Sequence, residues 1–308
     1  FKQKTAYDIS LGLVGSEMCI RDRMGLDLFK DHEETLVEKF ETIMGWSLKD
    51  ACEFGSDEEL KETSVAQPAI FSLSYCYCLE AISKYGKPSA LAGHSLGEYT
   101  ALAISGVVNF EDGLEIVSIR SSAMQEAVTK VDSTMCAVLT KDMEQTIQDI
   151  SSLEKQGINI WAANINDPGQ LVVAGISEDL EYIIKNPKSI SARKIIQLDV
   201  AGAFHTPLMS SAKPILEQAL NKIPFNDPFI PVVMNVDANY VTKDSIVEQL
   251  TNQIDKPVLF LNQLQRLEKD INPTKWIHIG PGDVTSGMAK RSISSKEVGV
   301  VNSLESLN

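Results

Sequence analysis

Ala90-Leu91-Ala92-Gly93-His94-Ser95-Leu96-Gly97-Glu98-Tyr99 is the stretch that decides how this chain folds. Ala90 to Ala92 reads as a very short apolar strand, and a helical stretch from Glu98 to Ser105 follows without a break. The five residues between them spell Gly-x-Ser-x-Gly. A serine on so sharp a strand-to-helix turn takes a strained backbone that lifts its hydroxyl above the sheet. Glycines two before and two after remove side chains that would collide there. The Leu96 N–H, at the start of the helix, is then placed to hold an oxyanion, helped by the helix dipole. The pattern also occurs by chance, in which case Ser95 is an ordinary turn residue.

Working outward, Gln67 to Gly86 reads as a helix, with Pro68 in its first turn and Ile70, Leu73, Tyr77 and Ile82 on an apolar face. Another helix starts near Asn109, a suitable cap, and runs to about Lys130. The chain then changes character. Strand 134–139, helix 142–156, strands 158–164 and 170–174, helix 178–185 and strand 194–198 give the order β-α-β-β-α-β of the ferredoxin-like motif. A helix at 207–222, a strand at 232–235, a helix at 244–254 and a strand at 276–279 resume the α/β pattern. The expected architecture is a large α/β domain, 24–131 and 200–308, with a ferredoxin-like small domain inserted at 132–199 and a cleft between them. Residues 1–23 carry neither a signal-peptide core nor a cleavage site, and Gly15 to Arg23 has an adapter-like character. That segment is expected to be foreign to the fold.

The 308 residues are 44% hydrophobic, enough for such a core. With 28 Lys+Arg against 42 Asp+Glu the formal net charge is -14, which speaks against nucleic acid as a partner. No apolar run approaches the roughly 18 residues of a membrane span, so a soluble, cytoplasmic protein without a membrane partner is expected. The five cysteines are scattered and read as small buried hydrophobes. The four histidines lack metal-ligand spacing, so no metal is expected.

A nucleophilic serine needs a base. His94 projects away from Ser95 across the turn, His278 lies in the apolar strand Trp276-Ile277-His278-Ile279, and His32 sits among Asp31, Glu33 and Glu34 on a solvated face. His205 remains. It follows the return from the small domain and precedes a helix, which puts it at the cleft. Arg120 shares a helical face with Gly113, Val117 and Met124. An arginine there either snorkels to the surface or meets an anion, and a substrate carboxylate suits it.

Five motifs occur in order: Gly93-His94-Ser95-Leu96-Gly97-Glu98-Tyr99; Arg120 with Met124-Gln125; Asn164-Ile165-Asn166-Asp167-Pro168-Gly169-Gln170; Phe204-His205-Thr206-x-x-Met209; and Gly280-Pro281-Gly282. Together they resemble the malonyl-CoA:acyl-carrier-protein transacylases and related acyltransferase domains of fatty-acid and polyketide synthesis. The resemblance spans Met24 to the C-terminus. It implies an α/β-hydrolase-like large domain with a ferredoxin-like insert, Ser95 as nucleophile, His205 as base and Arg120 as carboxylate holder. It further implies that the main-chain carbonyl of Gln253 orients His205, that Leu96 serves the oxyanion, and that Phe204 marks malonyl selectivity. The implied partners are malonyl-CoA and acyl carrier protein, with no metal or redox cofactor, in a monomer. A hydrolase on the same serine turn, or an inactive carrier-binding module, is the alternative.

Two departures stand out. Members of that family carry a strand and a Gly-Gln-Gly-Ser-Gln-like loop before the segment matching Met24-Gly25, and the loop supplies a second oxyanion amide. Here residues 1–23 occupy that place, so the first core strand and one donor are expected to be missing. His278 stands where an acidic residue is usual. For docking an acidic carrier, the candidate cations are Arg193, Lys194, Lys213, Lys290 and Arg291.

Overall fold

The computed structural model describes residues 9–14, 24–56, 58–293 and 297–307. Two sheets organise them. The larger has five strands: β1 (Ile9–Val14), β2 (Leu91–Gly93), β7 (Val232–Val233), β8 (Lys275–Ile279) and β9 (Glu297–Val301). Their spatial order is β7-β2-β1-β8-β9 and every pairing is parallel. Parallel neighbours require crossover connections, which here are helices. The smaller sheet holds β3 (Ser133–Thr140), β4 (Ile160–Asp167), β5 (Gln170–Ile176) and β6 (Ala192–Gln197), in the order β4-β5-β3-β6 and wholly antiparallel. With helices Met143–Lys155 and Ser177–Lys185 as its two connections, this is the ferredoxin-like arrangement expected from the β-α-β-β-α-β order.

β1 is a correction. It lies inside the segment 1–23 that was expected to be foreign, yet its backbone pairs with β2 on one side and β8 on the other, at the centre of the sheet. A central parallel strand needs only a short run able to complete both ladders, and Ile9–Val14 supplies one. The first core strand is therefore not missing. Residues 15–23, where the second oxyanion amide was expected to be lacking, lie outside the described residues.

Most other elements fall within a few residues of their expected places. Asn109 and Asp142 cap their helices, accepting from the Asp112 and Gln145 N–H groups. The helix expected from Gln67 instead begins at Thr63, so Pro68 lies inside it rather than in its first turn. This helix, Thr63–Tyr85, is buried on nearly all sides, which is why its apolar residues do not keep to one stripe. Cys76 and Cys78 are both buried for the same reason; Cys52 and Cys136 are buried too, and the four thiols are free. The helix expected over 207–222 is split into a tighter turn, Pro207–Ala212, and a short helix, Lys213–Leu220.

Main-chain and side-chain bonds hold the sheets at a fixed distance across the cleft. Val258, from the large-sheet side, donates its N–H to Ala163 O and accepts from the Ile165 N–H, at 2.9 and 2.8 Å. Arg291 Nε meets Asp167 Oδ2 at 2.7 Å. β4 is thus stitched along an edge that would otherwise lie open.

Candidate active site

Between the sheets lies a cleft whose walls include His94, Ser95 and His205 on one side and Met135, Asn166 and Val172 of the small sheet on the other. Ser95 has φ 51°, in the left-handed region that a serine rarely adopts. The turn is tight enough that a Cβ on Gly93 would sit 2.0 Å from the Gly97 carbonyl carbon, so glycine is required at 93. His205 also holds a positive φ, 60°. Strain of this kind persists only where surrounding bonds over-determine it, and here they do.

Ser95 Oγ lies 2.8 Å from His205 Nε2, and His205 Nδ1 lies 2.7 Å from the main-chain oxygen of Gln253. A carbonyl can only accept, so Nδ1 carries the ring proton and Nε2 is left as the acceptor for the serine hydroxyl. Burial, and secondarily the Arg120 charge, push the His205 imidazole down to about 3 against the opposing bond to Gln253. The ring is thereby held toward its neutral form, with Nε2 free to accept.

Arg120 does not snorkel. It is 0% exposed, stacks 5.3 Å over the Tyr99 ring, and donates to Ser95 Oγ at 3.2 Å, to Gln253 Oε1 at 3.0 Å and to Gln67 Oε1. A guanidinium this close to a serine oxygen can hold an anionic group on whatever is attached there. The Leu96 N–H, at the foot of the helix Gly97–Ile104, bonds no acceptor among the described residues, as an oxyanion donor would.

The other histidines fall away from this pair. His94 turns to Asn166 Oδ1 at 2.9 Å and meets Phe260 edge-on, bridging turn and small sheet. His278 accepts from Thr285 Oγ1 at 2.5 Å and donates to Gly282 O at 3.1 Å, pinning the Gly280-Pro281-Gly282 turn. His32 is not on a solvated face: it is largely buried and lies 2.9 Å from Glu80. No group of three or more His, Cys, Asp or Glu among the described residues could hold a metal ion.

Four partners of the site were not singled out from sequence: Gln67, Glu98, Asn166 and Asn235. Asn235 accepts from the Ser95 N–H at 2.8 Å and donates to Gly93 O at 2.7 Å. Glu98 is fully buried, and burial pushes its carboxyl up to about 8 against the bonds from Asn235 and Gln253 and the Arg120 charge. The available signal was a polar side chain inside an otherwise apolar helix, at Gln67 and Glu98.

Among the expected docking cations, Arg193, Lys194 and Lys290 are exposed and make no ion pair among the described residues. Lys213 is paired with Asp255, at 3.0 Å, and the half-exposed Arg291 with Asp167.

Residues 22–304 match the acyl transferase domain family. The malonyl CoA-acyl carrier protein transacylase of Bacillus subtilis (strain 168) is 35% identical over 266 residues, 86% of this chain and 81% of that protein. Its counterpart from Staphylococcus aureus (strain COL) is 31% identical over 285 residues, 92% of each chain. Two solved structures superpose with a TM-score of 0.90 over 97% of both chains: a malonyl-transacylase in complex with its type II PKS acyl-carrier protein, at 30% identity, and the transacylase of Streptococcus pneumoniae, at 29%. With a buried serine–histidine pair in the cleft between a parallel sheet and a ferredoxin-like insert, and with matches over nearly its whole length, this chain belongs to the acyl transferase domain family.

Proposed function

We propose that the protein moves a malonyl group from malonyl-CoA to the phosphopantetheine thiol of an acyl carrier protein through a malonyl-Ser95 ester. The observation that carries this reading is one oxygen with two partners: Ser95 Oγ is within hydrogen-bond reach of the His205 base and of the Arg120 guanidinium. His205 Nε2 takes the hydroxyl proton as Oγ attacks the thioester carbon. The oxyanion leans on the Leu96 N–H. As the tetrahedral intermediate collapses, the C–S bond breaks and the imidazolium returns the proton to the coenzyme A thiolate. The ester's free carboxylate rests on Arg120. The carrier's thiol then gives its proton to His205, attacks the ester, and leaves as malonyl thioester while Ser95 regains its hydrogen. The likeness to transacylases that work on malonyl CoA and a carrier supports the substrate pair. The chemistry needs no metal or redox cofactor in this reading, and the enzyme works as a cytoplasmic monomer.

Radiolabelled malonyl-CoA, with and without holo-carrier, tests it. Label should stay on the protein without carrier and move to the carrier when it is added. Label released mainly into water means a hydrolase; no label on the protein ends the proposal.

A pH profile checks the base. An ordinary histidine, with a pKa near 6.5, would lose roughly eightfold of its neutral form between pH 7 and 5.5. Because His205 is held well below that, kcat/KM for loading of Ser95 is expected to stay level across this window. A fall approaching eightfold would mean that the ring is not protected from protonation.

The carrier needs a docking surface on a protein of net charge -14. Carriers of this class are acidic, so attraction must come from local cations acting within roughly 8 Å at physiological salt. Arg193→Glu together with Lys290→Glu should raise the KM for carrier by roughly tenfold, through slower association, and leave loading from malonyl-CoA intact. Equal loss in both half-reactions would assign these cations to coenzyme A or to folding, and no loss in either would move the docking surface elsewhere.

A further inference from the structure

Glu98 is fully buried on the first turn of the helix Gly97–Ile104, and the two-residue catalytic scheme gives it no task. Both of its oxygens are engaged. Oε1 accepts from the Asn235 N–H and Oε2 from Gln253 Nε2, each at 2.6 Å. These two partners are the residues that brace the nucleophile: Asn235 holds the Ser95 N–H, while Gln253 Nε2 donates to the Ser95 carbonyl oxygen at 2.8 Å. Gln253 does more. Its main-chain oxygen orients His205, and its side-chain oxygen accepts from Arg120. One carboxyl therefore lies beneath nucleophile, base and guanidinium, one residue removed from each.

We infer that Glu98 is a positioning residue for acyl transfer, a carboxyl that accepts on both oxygens and so locks Asn235 and Gln253 in the orientation that sets the Ser95–His205 pair. The inference rests on the reading of Ser95 and His205 as the reacting pair. The need for two acceptors explains why no amide would serve. A carboxyl, with or without its proton, offers a lone pair on each oxygen to an incoming donor, whereas an amide nitrogen offers none. Glu98→Gln leaves the shape and the burial but turns an N–H toward the Gln253 amide or the Asn235 N–H. Gln253 is then driven to turn its own oxygen inward and its N–H groups toward Arg120, donor against donor. The backbone at 253 and the ring it orients move with it. A displacement of about 1 Å in a reacting group costs roughly 10²-fold in rate.

The test uses the full chain and two reagents. One is malonyl-CoA, followed as kcat and KM for loading. The other is a neutral fluorophosphonate: the Ser95 Oγ–P bond forms, the P–F bond breaks, fluoride leaves and His205 takes the proton, with no part for Arg120's carboxylate contact. In Glu98→Gln, kcat and the phosphonylation rate should both fall about 10²-fold, while KM for malonyl-CoA stays within about threefold. The double variant Glu98→Gln with Gln253→Glu restores a donor facing an acceptor at this contact, and should recover about tenfold of the loss. Full recovery is not expected, since the bond to the Ser95 carbonyl is gone. Unchanged rates per folded molecule, or a change in KM alone with normal phosphonylation, would make Glu98 a purely structural residue. If Glu98→Gln alone does not fold, the double variant decides: recovered phosphonylation supports the assignment, and a pair as poor as the single variant overturns it. A wild-type chain that reacts with the phosphonate but takes no malonyl group would overturn the substrate reading and leave the phosphonate arm to judge Glu98.

Discussion

Replacing Ser95 by alanine is expected to abolish the covalent malonyl-enzyme and to lower transfer by about 10⁵-fold or more. The size follows from how the site is built. Ser95 Oγ lies within hydrogen-bond reach of both the His205 ring and the Arg120 guanidinium, and among the described residues no other hydroxyl or thiol lines the cleft. His205→Ala should be nearly as damaging, because nucleophile and base act as a unit and their losses do not add. Both variants keep the backbone bonds to Asn235 and Gln253, so both should fold. Mass spectrometry after incubation with malonyl-CoA reads the result directly. A normal malonyl adduct on the Ser95→Ala protein would remove the whole mechanism.

The second large effect is on substrate choice. Arg120→Ala should cut malonyl transfer far more than acetyl transfer. Leaving one partner of a buried ion pair unmatched costs roughly 3–5 kcal/mol, and each 1.4 kcal/mol is tenfold, so the malonyl-to-acetyl preference should fall by roughly 10²–10⁴-fold. The same change removes donors from Gln67 and Gln253 and empties a fully buried volume, so the melting temperature should drop as well. Removing the positive charge also lifts one of the pressures on His205, which should move its acid limb upward; burial, the largest cause, keeps it below the ordinary histidine range. Rates with the two thioesters over a pH series measure all of this. An unchanged preference would make Arg120 a packing residue and leave selectivity to other groups.

The features readable from the residues alone share a physical property: they are set by neighbours close along the chain. The Gly93–Gly97 turn is legible because a strand, a collision and a helix start all occur within ten residues. Helix caps at Asn109 and Asp142 act across three residues. The β-α-β-β-α-β order is a sequence property, and its antiparallel closure follows from hairpin and crossover lengths. His205 and Arg120 were found by elimination and by an arginine on an apolar stripe, then given roles by family resemblance. Their expected positions about Ser95 agree with the geometry, as does the carbonyl of Gln253.

What the sequence determined by itself was therefore the local geometry of the turn and the succession of elements, with Ser95 and His205 as candidates for the reacting pair. Only the tertiary structure decided what surrounds them. Glu98 meets Asn235 and Gln253 across 137 and 155 residues, and no local pattern marks such partners. Lys213 and Arg291 looked like open cations until folding set a carboxylate beside each. β1 lies in a segment whose own residues do not announce a core strand, because a central strand is defined by the ladders on either side of it.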